Sequence, residues 1–310
     1  MSHRIIFDSV FCGLFACFLV AAVLLRSRLR QPKSLLFLVL IFEMFGFGMR
    51  IAYDTYASRW ARRLEVDYGP SSYMITMGGA CFVALLAGIL RGQHSLTEDC
   101  KIHKISTRPR SLLVLDVLVF VSSLCILLGF VSFFRTNGYA TIAGPIFILV
   151  GLGGDLLALI LIAISTFRCH IRSWRTRSER QTISGFYRRF YTFWRTCPWT
   201  VVVLYVVTII TFVRTVIRSV YYVWYLLWKL GDLHYYYTGG SSPFECPSPE
   251  EYVPIGDGFL MLLSIAVILM LRPILVASNT TARGEVTGAA PPVNRDSGYP
   301  PQNQILVEKV

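Results

Sequence analysis

Charge is scarce in this chain. Of its 310 residues only 15% are Asp, Glu, Lys or Arg, 30 basic against 18 acidic, while 54% are hydrophobic. Soluble domains hold roughly 25% charged residues, so this composition excludes a soluble enzyme and argues for a membrane protein. The net charge of +12 does not point to nucleic acid, because the basic residues sit between apolar runs instead of gathering on one polar face. Other absences narrow the reading further. There is no period-2 alternation of the kind barrel strands need. There is no Gly-x-x-x-x-Gly-Lys-Ser/Thr loop to cradle a nucleotide, which excludes ATP-driven pumping by this chain alone. The 8 cysteines show no disulfide framework or metal-ligand spacing, and neither a metal nor a cofactor is expected.

What is present is a set of seven apolar stretches, each near the ~20 residues that span a bilayer. They run from Val10 to Leu25, Leu35 to Tyr56, Tyr73 to Leu90, Ser111 to Phe134, Tyr139 to Phe167, Trp199 to Tyr222 and Tyr252 to Leu271. Continuous apolar runs fit helices whose backbone bonds are internal, so the fold class is all-α: a seven-transmembrane-helix bundle over residues 1–273. Residues 274–310, with Pro291, Pro292, Pro300 and Pro301 among small polar residues, read as a disordered cytoplasmic tail.

Basic loops are retained in the cytoplasm. The loops after helices 1, 3 and 5 hold seventeen Lys and Arg, including eight arginines from Arg168 to Arg195, and the opposite side holds six. The N-terminus is therefore expected outside and the C-terminus in the cytoplasm, which puts the Asn279 sequon on the side where it is not glycosylated. Helix 1 has no small-residue cleavage site and reads as a retained span, not a signal peptide. Cys246, in the last outer loop, could pair only near the outer end of helix 1, as with Cys12. The aromatic and basic stretch from Arg172 to Phe193 either lies on anionic headgroups or serves only to set topology.

Charges inside the spans carry the functional information, since each is costly unless paired or wetted. Glu43, Gly46, Phe47 and Arg50, at i, i+3, i+4 and i+7, share one face of helix 2. Helix 4 has Asp116, helix 5 Asp155, helix 6 Arg214 and Arg218, and the outer end of helix 7 Asp257. Counted from the cytoplasmic ends, Glu43 and Asp155 lie near the middle and Asp116 about two turns in. Arg50, Arg214 and Arg218 fall in the outer half. An inner acidic group and an outer basic cluster are thus expected, with Arg50 reaching Asp257 or Glu250 and Glu43 facing Asp116, Asp155 or the hydroxyl of Thr208 or Thr211. These residues serve either a site or the interhelical ties of the bundle.

No lysine stands in helix 7 to hold retinal, helix 3 ends in Ile89, Leu90, Arg91 and Gly92, and helix 7 ends in Leu271, Arg272 and Pro273, so neither retinal proteins nor rhodopsin-type receptors match. The chain instead resembles the fungal RTA-like (resistance-to-aminocholesterol) lipid-translocating exporters. Their helix 2 pattern Glu-x-x-Gly-Tyr-x-x-Arg is similar to Glu43, Gly46, Phe47 and Arg50. Asp116 fits an Asp in their helix 4, Gly151, Leu152 and Asp155 fit Gly-Leu-x-x-Gln, and Arg214 and Arg218 fit Arg-x-x-x-Arg-x-x-Glu with Tyr221 in place of the acid. Glu250, Asp257 and Met261 fit the approach to helix 7, with Leu260 in place of a proline. Their helix 3 proline falls at Gly79 and their helix 4 glutamine near Ser123.

The resemblance implies a multi-pass fungal membrane protein that moves lipids or other amphiphiles (sphingoid bases, sterol-like amines, phospholipids) or gives resistance to them, in the plasma membrane or an endomembrane. Its partners would be the membrane and such a ligand, with no nucleic acid. Movement would be facilitated, or coupled to protons through Glu43, Asp116 or Asp155. With Tyr221 at the position of an acid, the outer arginines look short of counter-charge, and an anionic headgroup such as phosphate would supply it. A seven-helix receptor signalling through the basic loops is the alternative. An enzyme is disfavoured, because His3, His94, His103, His170 and His234 all fall outside the spans.

Overall fold

A computed structural model describes residues 3–24, 33–60, 69–99, 110–133, 140–178, 199–238 and 253–269. Among these residues every element is a helix and there is no strand. The helices are α1 (His3–Leu24), α2 (Lys33–Trp60), α3 (Gly69–Asp99), α4 (Arg110–Phe133), α5 (Ala140–Ser178) and α6 (Trp199–Thr238). The seventh, α7, opens with a π-helical segment, Val253–Phe259, and continues as an α-helix over 260–269. The all-α fold class expected from the apolar runs is the one observed.

Six helices are long and apolar enough to cross a membrane, over Ile5–Leu24, Ser34–Ala52, Ser71–Arg91, Leu112–Ser132, Ile142–Arg168 and Val201–Trp228. The chain is accordingly a multi-pass membrane protein. Among the described residues the apolar part of α7 runs over Gly256–Leu269, within the expected seventh span from Tyr252 to Leu271, whose two ends lie outside the described residues. Several helices outrun their apolar runs. α3 continues to Asp99, α5 to Ser178 and α6 to Thr238, because a helix carries its own backbone bonds out of the slab while hydropathy marks only the part inside it.

Polarity is inverted relative to a soluble bundle. On α4 the side chains of Leu113, Val117, Phe120 and Leu124 point outward, Phe120 with 69% of its surface exposed, whereas Leu115, Ser122 and Ile126 face the neighbouring helices. Outward apolar residues suit lipid, and buried small or polar ones suit helix contacts that lipid cannot drive by hydrophobicity. α3 is the most enclosed helix, packing on α2, α4, α5 and α6. Glycine lets it approach α2: a Cβ at Gly46 would lie 2.5 Å from Ile75 Cγ1 and 3.2 Å from the Ser71 carbonyl. The start of α7 docks where Phe11 and Phe15 of α1 stack on Phe47 of α2, with ring centroids 5.4 and 5.7 Å apart. Gly258 fits there because a Cβ would stand 3.0 Å from both Phe11 and Phe47.

Candidate functional site

Seven ionised-type side chains converge inside this bundle. Asp8, Glu43, Asp155 and Asp257 on the acidic side, with Arg50, Arg214 and Arg218 on the basic side, are each no more than 3% exposed. Burial on this scale is tolerated in a membrane where charges meet one another, reach water or are neutralised.

The centre is the pair Glu43 and Arg214. Arg214 Nη2 donates to Glu43 Oε1 at 2.7 Å and to the Ile75 carbonyl at 3.2 Å. Two consecutive glycines of α3 make room for it. A Cβ at Gly78 would sit 2.7 Å from Glu43 Oε1, and one at Gly79 would sit 2.6 Å from Arg214 Nη1. The pair thus lies directly against α3 backbone. From Arg214 the network continues to α7, with Nε 3.2 Å from Asp257 Oδ1, and Asp257 Oδ2 lies 2.8 Å from Arg218 Nε. One carboxylate therefore joins two guanidinium groups one turn apart on α6. Asp257 is placed by the π-helical turn at the start of α7, a wider turn of the kind that recurs at functional sites.

Arg50 stands two turns along α2 from Glu43 and forms a separate pair, its Nε donating to Asp8 Oδ2 at 3.1 Å. The remaining polar lining comes from α3 and α6. Thr208, Thr211 and Thr215 donate to the carbonyls four residues back, which satisfies each hydroxyl within its own helix. The Thr76 and Tyr222 hydroxyls are 3.2 Å apart and tie α3 to α6.

The depth of these groups is shared. Glu43 lies nine residues from each end of Ser34–Ala52, Cys81 ten from each end of Ser71–Arg91, and Ser122 ten from each end of Leu112–Ser132. Asp155 lies thirteen residues from each end of Ile142–Arg168, and Arg214 thirteen and fourteen from the ends of Val201–Trp228. Five helices therefore each place a polar group at the midpoint of the apolar segment.

Several expectations need correction. Arg50 pairs with Asp8, not with Asp257, because helix 1 begins at His3 and its apolar segment, Ile5–Leu24, takes in an acid ahead of the expected start at Val10. Glu43 meets Arg214, which stands at mid-depth and not in an outer basic cluster, so acidic and basic groups form one network. Asp116 lies apart: half-exposed Arg91 pairs with it, and Asp116 keeps 30% of its side chain exposed, so it takes no part in the buried site. Tyr221 is half-buried in an aromatic cluster with Tyr222 and Tyr225, and the buried phenol tied to α3 is its neighbour Tyr222. The arginines are not short of counter-charge, since Asp8, Glu43 and Asp257 match them one for one. Cys12 is a free thiol that donates to the Met44 carbonyl at 3.7 Å, so it is not held in a disulfide.

Asp155 is buried as expected, with Ser122 of α4 as the polar group beside it. Ser122 is also the side chain against which a Cβ at Gly154 would clash. Glu250, Cys246, Asn279, the tail over 274–310 and most of the basic loops lie outside the described residues. Among the described residues no three His, Cys, Asp or Glu side chains gather in a metal-holding group. The chain matches no family model, no curated protein and no solved structure.

Proposed function

We propose that this membrane protein translocates lipids or related amphiphiles through its helical bundle, as the RTA-like exporters it resembles do, and performs no enzymatic chemistry. The observation that carries the reading is the charged chain from Glu43 through Arg214 and Asp257 to Arg218, in which Glu43 and Arg214 stand at the middle of their apolar segments. A headgroup crossing hydrocarbon loses its water, and fixed charges at mid-depth can replace that water without any reorganisation of lipid. Many transporters place their sites at this depth, often beside an interrupted helix. The π-helical start of α7, which presents Asp257 to both arginines, is a departure from regular α-helix at this network. The resemblance adds the substrate class and a fungal plasma membrane or endomembrane setting. Sphingoid bases, sterol-like amines and phospholipids are the candidates.

The test is a lipid-translocation series in proteoliposomes holding the full chain, with labelled lipids of varied headgroup. Translocation above protein-free vesicles for at least one headgroup is expected, and Asp257→Asn should return it to background while the protein still elutes as a folded species. Equal rates with and without protein across the series would overturn the reading. That outcome would favour the receptor alternative, which requires a cytoplasmic partner and moves no lipid.

A further inference from the structure

Within the buried site the acids outnumber the bases. Asp8, Glu43 and Asp257 each stand in an ion pair with Arg50, Arg214 or Arg218, which leaves Asp155. Its side chain is 1% exposed and sits at the centre of its span, and its Oδ1 has no hydrogen-bond partner. An ionised carboxylate in that position would be a buried charge without a counter-ion, which costs several kcal/mol.

The groups facing it leave few ways to meet that cost. From α4 comes Ser122, whose buried hydroxyl lies within hydrogen-bonding reach of the carboxyl but carries no charge to balance an anion. From α3 comes Cys81, within electrostatic reach of both Asp155 and Glu43. From α6 comes Arg214, the cation whose field reaches Asp155, but its guanidinium is bonded to Glu43 and paired with Asp257. His170, on the same helix, is fifteen residues away. A hard metal cation would ask for about six oxygen ligands, and no metal-holding group is present among the described residues. A proton needs no such shell.

We propose that Asp155 carries a proton in this arrangement, and that release of the proton draws Arg214 away from Glu43 and Asp257 toward the new carboxylate. In that step the O–H bond of Asp155 breaks, its electron pair stays on the carboxylate, and the proton passes to water. Arg214 is the shared element. With Asp155 neutral it serves Glu43 and Asp257; with Asp155 ionised three carboxylates compete for it, and Glu43 loses its partner. Proton occupancy at α5 is thereby converted into a rearrangement between α2, α6 and α7. This inference stands apart from lipid movement, since the proton is read directly whether or not lipid crosses.

Infrared spectroscopy of the full chain in lipid nanodiscs tests it. The wild-type protein should show a protonated-carboxyl carbonyl absorption that disappears as pH is raised. Growth with carboxyl-¹³C aspartate should move that band, assigning it to aspartate without any substitution. The band should be missing in Asp155→Asn. In Glu43→Gln, Arg214 is freed to turn to Asp155, so the transition should move to lower pH. If Asp155→Asn does not fold, the aspartate isotope shift in the wild type together with the lowered transition in Glu43→Gln decides. No aspartate-derived protonated-carboxyl band at any pH where the protein is folded would overturn the proposal. So would a band that is lost on adding sodium at fixed pH, which would make Asp155 a metal-cation site.

Discussion

Gly78 and Gly79 hold the site together as firmly as the charges do. A Cβ on Gly78 enters the space of Glu43 Oε1, and Glu43 is fully buried and held by Arg214. Gly78→Ala is expected to cost about 1 to 3 kcal/mol by overpacking, read as a lowered melting midpoint in detergent. Ser122→Ala, at the hydroxyl beside the Asp155 carboxyl, should cost about 1 kcal/mol. At Asp8 and Arg50 the mechanism differs. Removing one member takes the partner from a buried charge, at a cost of up to about 3 to 5 kcal/mol, so Asp8→Asn should lower the melting midpoint and Asp8→Asn with Arg50→Gln should recover part of the loss. An additive double variant would contradict the pairing.

At this scale the sequence shows which side chains share a helix face but not which helix they meet. Glu43, Gly46, Phe47 and Arg50 were legible as an inward face because 3.6-residue periodicity is local. The partner of Arg50 was not, because Asp8 precedes Val10, where the unbroken apolar run begins, and so reads as part of an exposed terminus. The mid-depth agreement of Glu43, Ser122, Asp155 and Arg214 was readable in principle. It emerges when each residue is placed between both ends of its apolar segment, whereas counting from the cytoplasmic end alone puts Arg214 too far out.

Among the elements, α7 departs most from what hydropathy implies. Its apolar run suggests one more regular span, but its first turn is π-helical, and no apolar periodicity marks a wider turn. That geometry sets the direction of Asp257. Deleting Phe259, an outward residue with 56% of its surface exposed, removes one residue between Asp257 and the rest of α7 and turns Asp257 by about 100°. The deletion is expected to lower the melting midpoint about as much as Asp257→Asn, with no further loss when both changes are combined. A second full increment in the combined variant would mean that the π-helical turn does not serve to aim Asp257. By contrast α2 through α6 were legible as elements, because long apolar runs are what hydropathy measures best. Only their polar ends, as in α5 beyond Arg168, went unread.

For the whole molecule, orientation rests on the distribution of basic residues. The positive loops after helices 1, 3 and 5 favour an outside N-terminus, and they predict that Asn279 stays unmodified while a sequon inserted between Gly239 and Pro243 is glycosylated. Endoglycosidase-sensitive mass on the unaltered chain would reverse the orientation. The convergence of α2, α3, α6 and α7 on one buried ion network does not depend on which end is outside. It is the claim on which transport, proton binding and the role of α7 all depend. The measurement that tests it most directly is a double-mutant cycle on Glu43 and Arg214, comparing the unfolding free energies of wild type, Glu43→Gln, Arg214→Gln and the double variant in one membrane mimetic. Contact across 171 residues of sequence predicts a coupling of about 0.5 to 3 kcal/mol, with the double variant more stable than the sum of the single losses. Strict additivity would mean that the two side chains do not meet, and would contradict the network at its centre.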